Sequence, residues 1–92
     1  MKVDIVTPDG VLFSGEVEAV AVPGVKGEFV ILKNHAPIIS LLEKGNIRLI
    51  GEDIAIEDEL AHKFTREKRE TVLPINSGTV EAKNNKVIIL AE

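Results

Sequence analysis

The two histidines are the first candidates for acid–base chemistry, because histidine is the side chain whose ordinary titration lies near neutral pH. His35 lies in a turn-like stretch, residues 33–37, with no serine, cysteine or carboxylate beside it in a catalytic pattern. His62 follows the acidic run 57–59, but a metal site usually needs several His or Cys residues at fixed spacing. We interpret His35 as a structural or partner-contact residue and His62 as part of a solvated surface.

Other reactive patterns are absent from the sequence. There is no cysteine, so no thiolate is available as a nucleophile or ligand. Residues 24–27, Gly-Val-Lys-Gly, lack the Gly-Lys-Ser/Thr ending and the following helix of a phosphate loop, so we interpret them as a turn. No Gly-x-Ser-x-Gly elbow surrounds any serine, and the acids of residues 52–59 do not match the calcium-loop spacing. The residues therefore predict no catalytic, cofactor-binding or metal-binding site, and no cofactor.

Length and composition predict one globular domain spanning residues 1–92. The chain is 45% apolar and 28% charged, which is ordinary for a folded protein and argues against disorder. Three phenylalanines are its only aromatic residues, so the core must consist mainly of Val, Ile, Leu and Ala.

The charge pattern bears on partners and location. The net charge is −4, and the one basic cluster, residues 63–69, is diluted by Glu67, so we predict no nucleic-acid binding. Apolar runs are far shorter than the roughly 18 residues of a membrane span. The N-terminus lacks a secretory pattern. We therefore expect a cytoplasmic protein that meets a membrane only through a partner.

Short β-branched stretches between turn-forming residues dominate the chain and predict an all-β fold, a sandwich or flattened barrel. Residues 38–42 are apolar except for Ser40, and this nearly continuous apolar run predicts a strand covered on both faces. Asn84 and Asn85 predict a two-residue hairpin, since asparagine tolerates left-handed backbone. The predicted strands are residues 2–7, 11–14, 16–22, 27–32, 38–42, 46–50, 79–83 and 86–90.

One charged segment departs from this pattern. Residues 57–70 are mostly charged, and the apolar positions Ile56, Leu60 and Phe64 have helical i, i+4 spacing, which favours a short helix near residues 57–69. The spacing also allows the ion pairs Glu59–Lys63 and Arg66–Glu70. The alternative is a long hairpin tip whose two faces both meet water.

Four ordered blocks of sequence resemble the epsilon subunit of bacterial-type F1Fo ATP synthase. The blocks are Ile5–Val17 with its Phe-Ser-Gly step, Val22–Pro37 with Gly-Glu and His-Ala-Pro, Lys44–Arg48, and Ser77–Ala91. Together they cover nearly everything except residues 51–73, a segment that is longer than typical for the family. It is either a lineage-specific contact or, in the simpler interpretation, an exposed loop extension.

The resemblance implies a β-sandwich of about ten strands and a non-catalytic rotor subunit of the central stalk. Its implied partners are the gamma subunit of F1 and the c-ring of Fo, at the cytoplasmic face of the inner membrane. It places Thr7, Glu28 and His35 toward the c-ring and Ser40 toward gamma. The family's usual Pro-Gly before the histidine is Lys33-Asn34 here, and asparagine can preserve that turn.

The residues leave other functions open. A free-standing β-sandwich adaptor would fit the same strand pattern, with an unrelated protein as its partner. A small enzyme using His35 would require a deep pocket that holds this histidine beside an acid. We also expect the C-terminal helical hairpin that many family members carry to be absent, and with it any inhibition of ATP hydrolysis or ATP binding.

Overall fold

The computed structural model describes all residues 1–92 and consists of ten strands and one short helix. A 3-10 helix, Asp58–Lys63, lies between the sixth and seventh strands. The predicted all-β class is confirmed. The strands are β1 Lys2–Thr7, β2 Gly10–Glu16, β3 Ala19–Gly24, β4 Gly27–Leu32, β5 Ile38–Leu42, β6 Gly45–Ile50, β7 Thr65–Glu67, β8 Glu70–Ile75, β9 Gly78–Lys83 and β10 Lys86–Ala91.

The strands form one continuous sheet that curls into two layers. The first layer has the order β2-β1-β10-β9-β5, and the second has the order β4-β3-β6-β8-β7. All neighbouring pairs are antiparallel except β1 and β10, which run parallel. A sandwich of this kind buries the inner face of each layer against the other.

The two layers join where β3 meets β5. Gly24 pairs with Leu42 of β5 and with Gly27 of β4, and the Glu43 amide donates to the Pro23 carbonyl at 2.9 Å. A Cβ atom on Gly24 would lie 2.8 Å from the Phe29 ring and 2.9 Å from the Gly27 carbonyl oxygen. Only glycine fits this crowded corner, so the joint depends on one residue without a side chain.

Alternating residues of both layers build a single aliphatic core. Ile5 and Ile89 of the first layer and Ile47 and Leu49 of the second have no solvent exposure. Neighbouring residues on these strands point outward, as the two-residue period of a strand requires. One cluster of 20 buried residues crosses both layers, which confirms the expectation of a core made mainly of Val, Ile, Leu and Ala.

The segment after β6 closes the open side of the sandwich. Ile54 and Phe64 are 4% and 9% exposed, and Ile56 and Leu60 pack against the core. Leu60 shares a cleft with the β1–β2 turn on one side and with the end of β8 on the other. The interpretation of this segment as an exposed loop extension is therefore wrong, because its apolar face completes the core.

Both predictions for the charged segment describe part of it. The helix exists but covers only residues 58–63, and the chain then turns into the β7–β8 hairpin. The predicted Glu59–Lys63 and Arg66–Glu70 ion pairs do not form. Instead, Arg69 contacts Glu18 at 2.7 Å and Glu52 at 2.8 Å, which fastens the hairpin turn to its neighbours.

Two local predictions about asparagine are confirmed and one about burial is wrong. Asn84 and Asn85 have φ values of 53° and 61°, and Asn34 has φ 62°, so all three adopt left-handed backbone. β5 is not covered on both faces: Ile39 is 76% exposed and Leu41 63% exposed. The layer of sheet that contains β5 has a core on one side only.

Because the apolar side chains of residues 51–64 are part of the core, truncating Ile54 should destabilise the fold far more than truncating Ile39. Ile54→Ala should lower the free energy of unfolding by about 2–5 kcal/mol, because it leaves a cavity in the core. Ile39→Ala, the matched change at an exposed site, should stay within about 0.5 kcal/mol of the parent. Urea denaturation measures both values. Equal effects would show that the segment is not part of the core.

The left-handed backbone of Asn34 predicts how stable two substitutions at this position will be relative to each other. Asn34→Val should destabilise the fold by about 1–2 kcal/mol, since a β-branched residue is strained at positive φ. Asn34→Gly should be nearly neutral, because glycine adopts this conformation freely. Chemical denaturation of the two variants gives the comparison, and a valine variant as stable as the glycine variant would contradict the assigned backbone.

Candidate partner-docking surfaces

The outer side of the first layer carries the largest group of exposed apolar side chains. We call it the docking face and define it by the outward residues of β1, β10, β9 and β5. Four of its side chains are well exposed: Ile39 at 76%, Leu41 at 63%, Leu90 at 53% and Ile88 at 39%. Contiguous apolar surface of this kind marks interaction sites in soluble proteins.

Strand register places these side chains side by side. Ile39 and Ile88 are both register partners of Glu81, one on each side of it. Leu41 and Leu90 are likewise both partners of Thr79, and Val6 of β1 is opposite Leu90. The apolar side chains therefore form two rows across the sheet. One β9 side chain interrupts each row: Glu81 lies between Ile39 and Ile88, and Thr79 lies between Leu41 and Leu90.

The docking face continues past the end of the strands. Val25, in the β3–β4 turn, is 52% exposed and lines a cleft of about 660 Å³ together with Leu41, Leu90 and Thr7. This cleft is open and mostly apolar at its walls. The apolar surface thus reaches the end of the sandwich that carries the β1–β2 and β3–β4 turns, which we call the turn end.

The outer side of the second layer is less apolar. Val30 and Leu32 of β4 are 42% and 59% exposed, and a charged group formed by Glu28, Arg48 and Glu70 lies on the same face. Arg48 of β6 lies between two acids, with its Nε atom 3.1 Å from Glu28 and its Nη1 atom 3.5 Å from Glu70. The Nε contact is electrostatic, because the buried N–H is not aligned as a hydrogen bond.

Glu28 therefore has a partner within its own chain. Its side chain remains 47% exposed, so the carboxylate can still face another protein at the rim of a contact. Rim charges of this type guide orientation more than they add affinity. Glu28 lies near the turn end, since its register partner Pro23 comes just before Gly24 and the β3–β4 turn.

Thr7 organises the turn that follows β1. Its Oγ1 atom donates to the Gly10 carbonyl at 3.1 Å and accepts from the Asp9 amide at 3.2 Å. The side chain shares the cleft at the turn end with Val25. The structure thus brings Thr7 and Glu28 to the same end of the sandwich, although on different layers.

His35 lies at the opposite end, which we call the histidine end. It contacts a tight crevice formed by residues that include Met1, Asn85 and Lys86, the residues at which β1 and β10 begin. β1 rises about 16 Å between its first and last residues, so Thr7 and His35 are separated by the length of the sandwich. The structure does not bring Thr7, Glu28 and His35 into one patch.

The surroundings of His35 are those of a turn. Its amide donates to the Leu32 carbonyl at 3.1 Å, and its Nδ1 atom lies 2.6 Å from the Ala36 carbonyl oxygen. The side chain is exposed, no carboxylate hydrogen-bonds to it, and the crevice has no room for a water molecule. The pocket required for a histidine-based enzyme is not formed.

Ser40 is on the inward side of β5. Its register partner is the buried Val80, and its hydroxyl donates to the Leu41 carbonyl at 3.1 Å. The neighbours Ile39 and Leu41 are the residues that reach the docking face. Sequence reasoning identified the strand but not these side chains, nor Ile88 and Leu90, although the alternation of β10 carried the signal.

No helix in the structure has the length and apolar character needed to cross a membrane. No group of three or more histidine, cysteine or acidic side chains is arranged so that it could hold a metal ion.

Relatives with this sequence pattern share one name. The chain is 39% identical to the ATP synthase epsilon chain of Sulfurimonas denitrificans over 92 residues, all of this chain and 60% of that protein. It is 40% identical to the ATP synthase epsilon chain of Chlorobium limicola over 91 residues, 99% of this chain and 88% of that protein. The chain thus spans less than two thirds of some relatives and most of others.

A solved structure has the same fold. It belongs to the central stalk and c-ring of the Tetrahymena thermophila mitochondrial ATP synthase, with a TM-score of 0.67 and 15% identity. The similarity covers 99% of this chain and 62% of that one. All 92 residues also match the family described as the β-sandwich domain of the ATP synthase delta/epsilon chain. With the four sequence blocks and the ten-stranded sandwich, this match shows that the chain belongs to the ATP synthase delta/epsilon family.

Proposed function

We propose that this chain is a rotor subunit in the central stalk of an F-type ATP synthase. It couples rotation of the c-ring, driven by proton translocation, through gamma to ATP synthesis in F1, and performs no catalysis itself. The observation that carries the proposal is the docking face, an apolar sheet surface on a member of the epsilon family. Its location is peripheral, at the cytoplasmic face of the membrane, where it contacts the bilayer only through its partners.

We propose that the docking face binds gamma. Burying an exposed leucine or isoleucine contributes about 1.5–3 kcal/mol, and four such side chains lie together here. Association of two proteins costs about 4–15 kcal/mol in lost freedom, so a cluster of this size is needed to offset it. The second layer exposes two large aliphatic side chains, Val30 and Leu32, beside a charged network, which supports the choice of the first layer.

We assign the turn end to the c-ring. A ring of membrane loops presents one surface and can contact only one end of a sandwich. Thr7 and Glu28 are at the turn end, whereas His35 is at the other, so all three residues cannot face the ring. We therefore revise the sequence-based expectation and place His35, with Ile39 and Leu41, on the side of gamma.

The packing of the chain suits a part that transmits torque. The core is a single cluster, the layers join at a close backbone contact, and most connections between strands are short turns. Close-packed interiors have low compressibility, so a force applied at one end is transmitted to the other. The β7–β8 hairpin is fastened by Arg69, which limits its motion relative to the body.

The choice of docking face predicts different effects of two matched substitutions. Leu41→Asp should weaken binding to gamma by at least about tenfold, equivalent to about 1.4 kcal/mol. Leu32→Asp, at a leucine of similar exposure on the second layer, should change affinity by less than about twofold, as expected for a residue outside the interface. Titration calorimetry with purified gamma measures both. A larger effect at Leu32 would assign gamma to the other face.

The assignment of the turn end predicts which residues crosslink to the c-ring. The chain has no cysteine, so a single introduced cysteine reports one position. Lys26→Cys, in the β3–β4 turn, should crosslink to a c-ring carrying a loop cysteine, whereas Lys33→Cys, next to His35, should not. Crosslinking in the assembled complex gives the result, and a product from Lys33→Cys alone would reverse the orientation.

A further inference from the structure

Three lysines stand side by side on the docking face at the histidine end. Lys2 of β1 is the register partner of Lys86 of β10, and Lys86 is the register partner of Lys83 of β9. Each neighbours a buried inward residue in sequence, so all three side chains project from the outer side of the first layer. We call these residues the lysine row.

The lysine row lowers the stability of the isolated chain. Like charges directly opposite on neighbouring strands destabilise a sheet. Only Lys2 has an acidic partner, with its Nζ atom 3.7 Å from Asp4. Lys83 and Lys86 have no ion pair, and the nearby Glu16 carboxylate is bound to the N-terminal ammonium at 3.1 Å.

The charge of this region is opposite to that of the whole protein. The chain has a net charge of −4, yet Lys33 lies in the turn beside the row, where the Asn34 amide donates to the Asn85 side chain at 3.1 Å. The acids on the docking face near the row are Asp4 and Glu81, each two residues along its strand from Lys2 and Lys83. A local excess of positive charge therefore borders the apolar rows.

We propose that the lysine row binds carboxylates of the protein that covers the docking face. This inference rests on the proposed function and specifies the partner's chemistry. The partner has apolar side chains opposite Ile39, Leu41, Ile88 and Leu90, and acidic side chains opposite Lys83 and Lys86. Adjacent strands are about 4.8 Å apart, a spacing at which two neighbouring carboxylates can each meet one ammonium group.

A protein partner fits this surface better than a nucleic acid or a lipid surface. The row is continuous with the apolar rows on the same sheet, so one partner that covers the leucines also reaches the lysines. The face has no aromatic side chain for base stacking, which single-stranded nucleic acids require. These lysines lie at the rim of the docking face, where charge accelerates and orients association.

The test compares two double substitutions that change the net charge equally. Lys83→Gln with Lys86→Gln should slow association with purified gamma by about 3–10-fold at ~0.05 M salt, and the difference should shrink below about twofold at ~0.5 M salt. Lys44→Gln with Lys68→Gln, at exposed lysines off the docking face, should leave the rate within about twofold, because it changes only the overall charge. Surface plasmon resonance gives association rates at both salt concentrations.

Each result decides the proposal. Equal association rates for both double variants, while Leu41→Asp still weakens binding, would overturn the lysine row and leave the docking face intact. Binding to gamma that neither Leu41→Asp nor the lysine change affects would overturn the docking face as well. Absence of any binding between the parent chain and gamma would overturn the proposed function. Binding of the parent chain to anionic phospholipid vesicles that requires Lys83 and Lys86, with unchanged association with gamma, would replace the protein partner by a lipid surface.

Discussion

The burial of two sheet faces against each other is the constraint on which the rest of the structure depends. A 92-residue chain without disulfides has one core from which to draw its stability. That core forms only if the curled sheet can bring its two layers into contact. The Gly24 corner permits the curl, and the segment containing Ile54 and Phe64 closes the side that the curl leaves open.

The docking face follows from the same constraint. Alternation along β5 and β10 sends every second side chain into the core, and the intervening side chains must point outward. On most of the protein surface these outward residues are polar or small. On the first layer they include Ile39, Leu41, Ile88 and Leu90, four large apolar side chains that are exposed together. We propose that a second protein covers this surface, which the close-packed core behind it holds in shape.

The sequence predicted where the strands lie better than it predicted which of their faces are buried. Turn-forming residues located β1, β4 and β5 to the residue, and paired asparagines located the β9–β10 turn. β7 and β8 were missed as individual strands because charged residues and the neighbouring helical spacing obscured the alternation of residues 70–75. The third strand was placed too early, since Val17 continues the apolar alternation before the strand begins at Ala19.

The candidate site was less accessible to sequence reasoning, because it depends on which strands become neighbours. The apolar run of β5 predicts burial on both sides, and nothing local distinguishes a core from an interface with another protein. Glu28 and His35 are close in sequence, yet β4 carries them to opposite ends of the sandwich. The lysine row cannot be predicted from the sequence, since Lys2 and Lys86 become neighbours only through the parallel pairing of β1 with β10.

We propose that the chain docks as a rigid body through the outer side of its first layer. Hydroxyl-radical footprinting of the chain, alone and in the assembled complex, tests this at individual side chains. If the chain docks in this way, oxidation of Ile39, Leu41, Ile88 and Leu90 should fall on assembly, while Val30 and Leu32 remain as reactive as in the free chain. Protection confined to Val30 and Leu32 would contradict it.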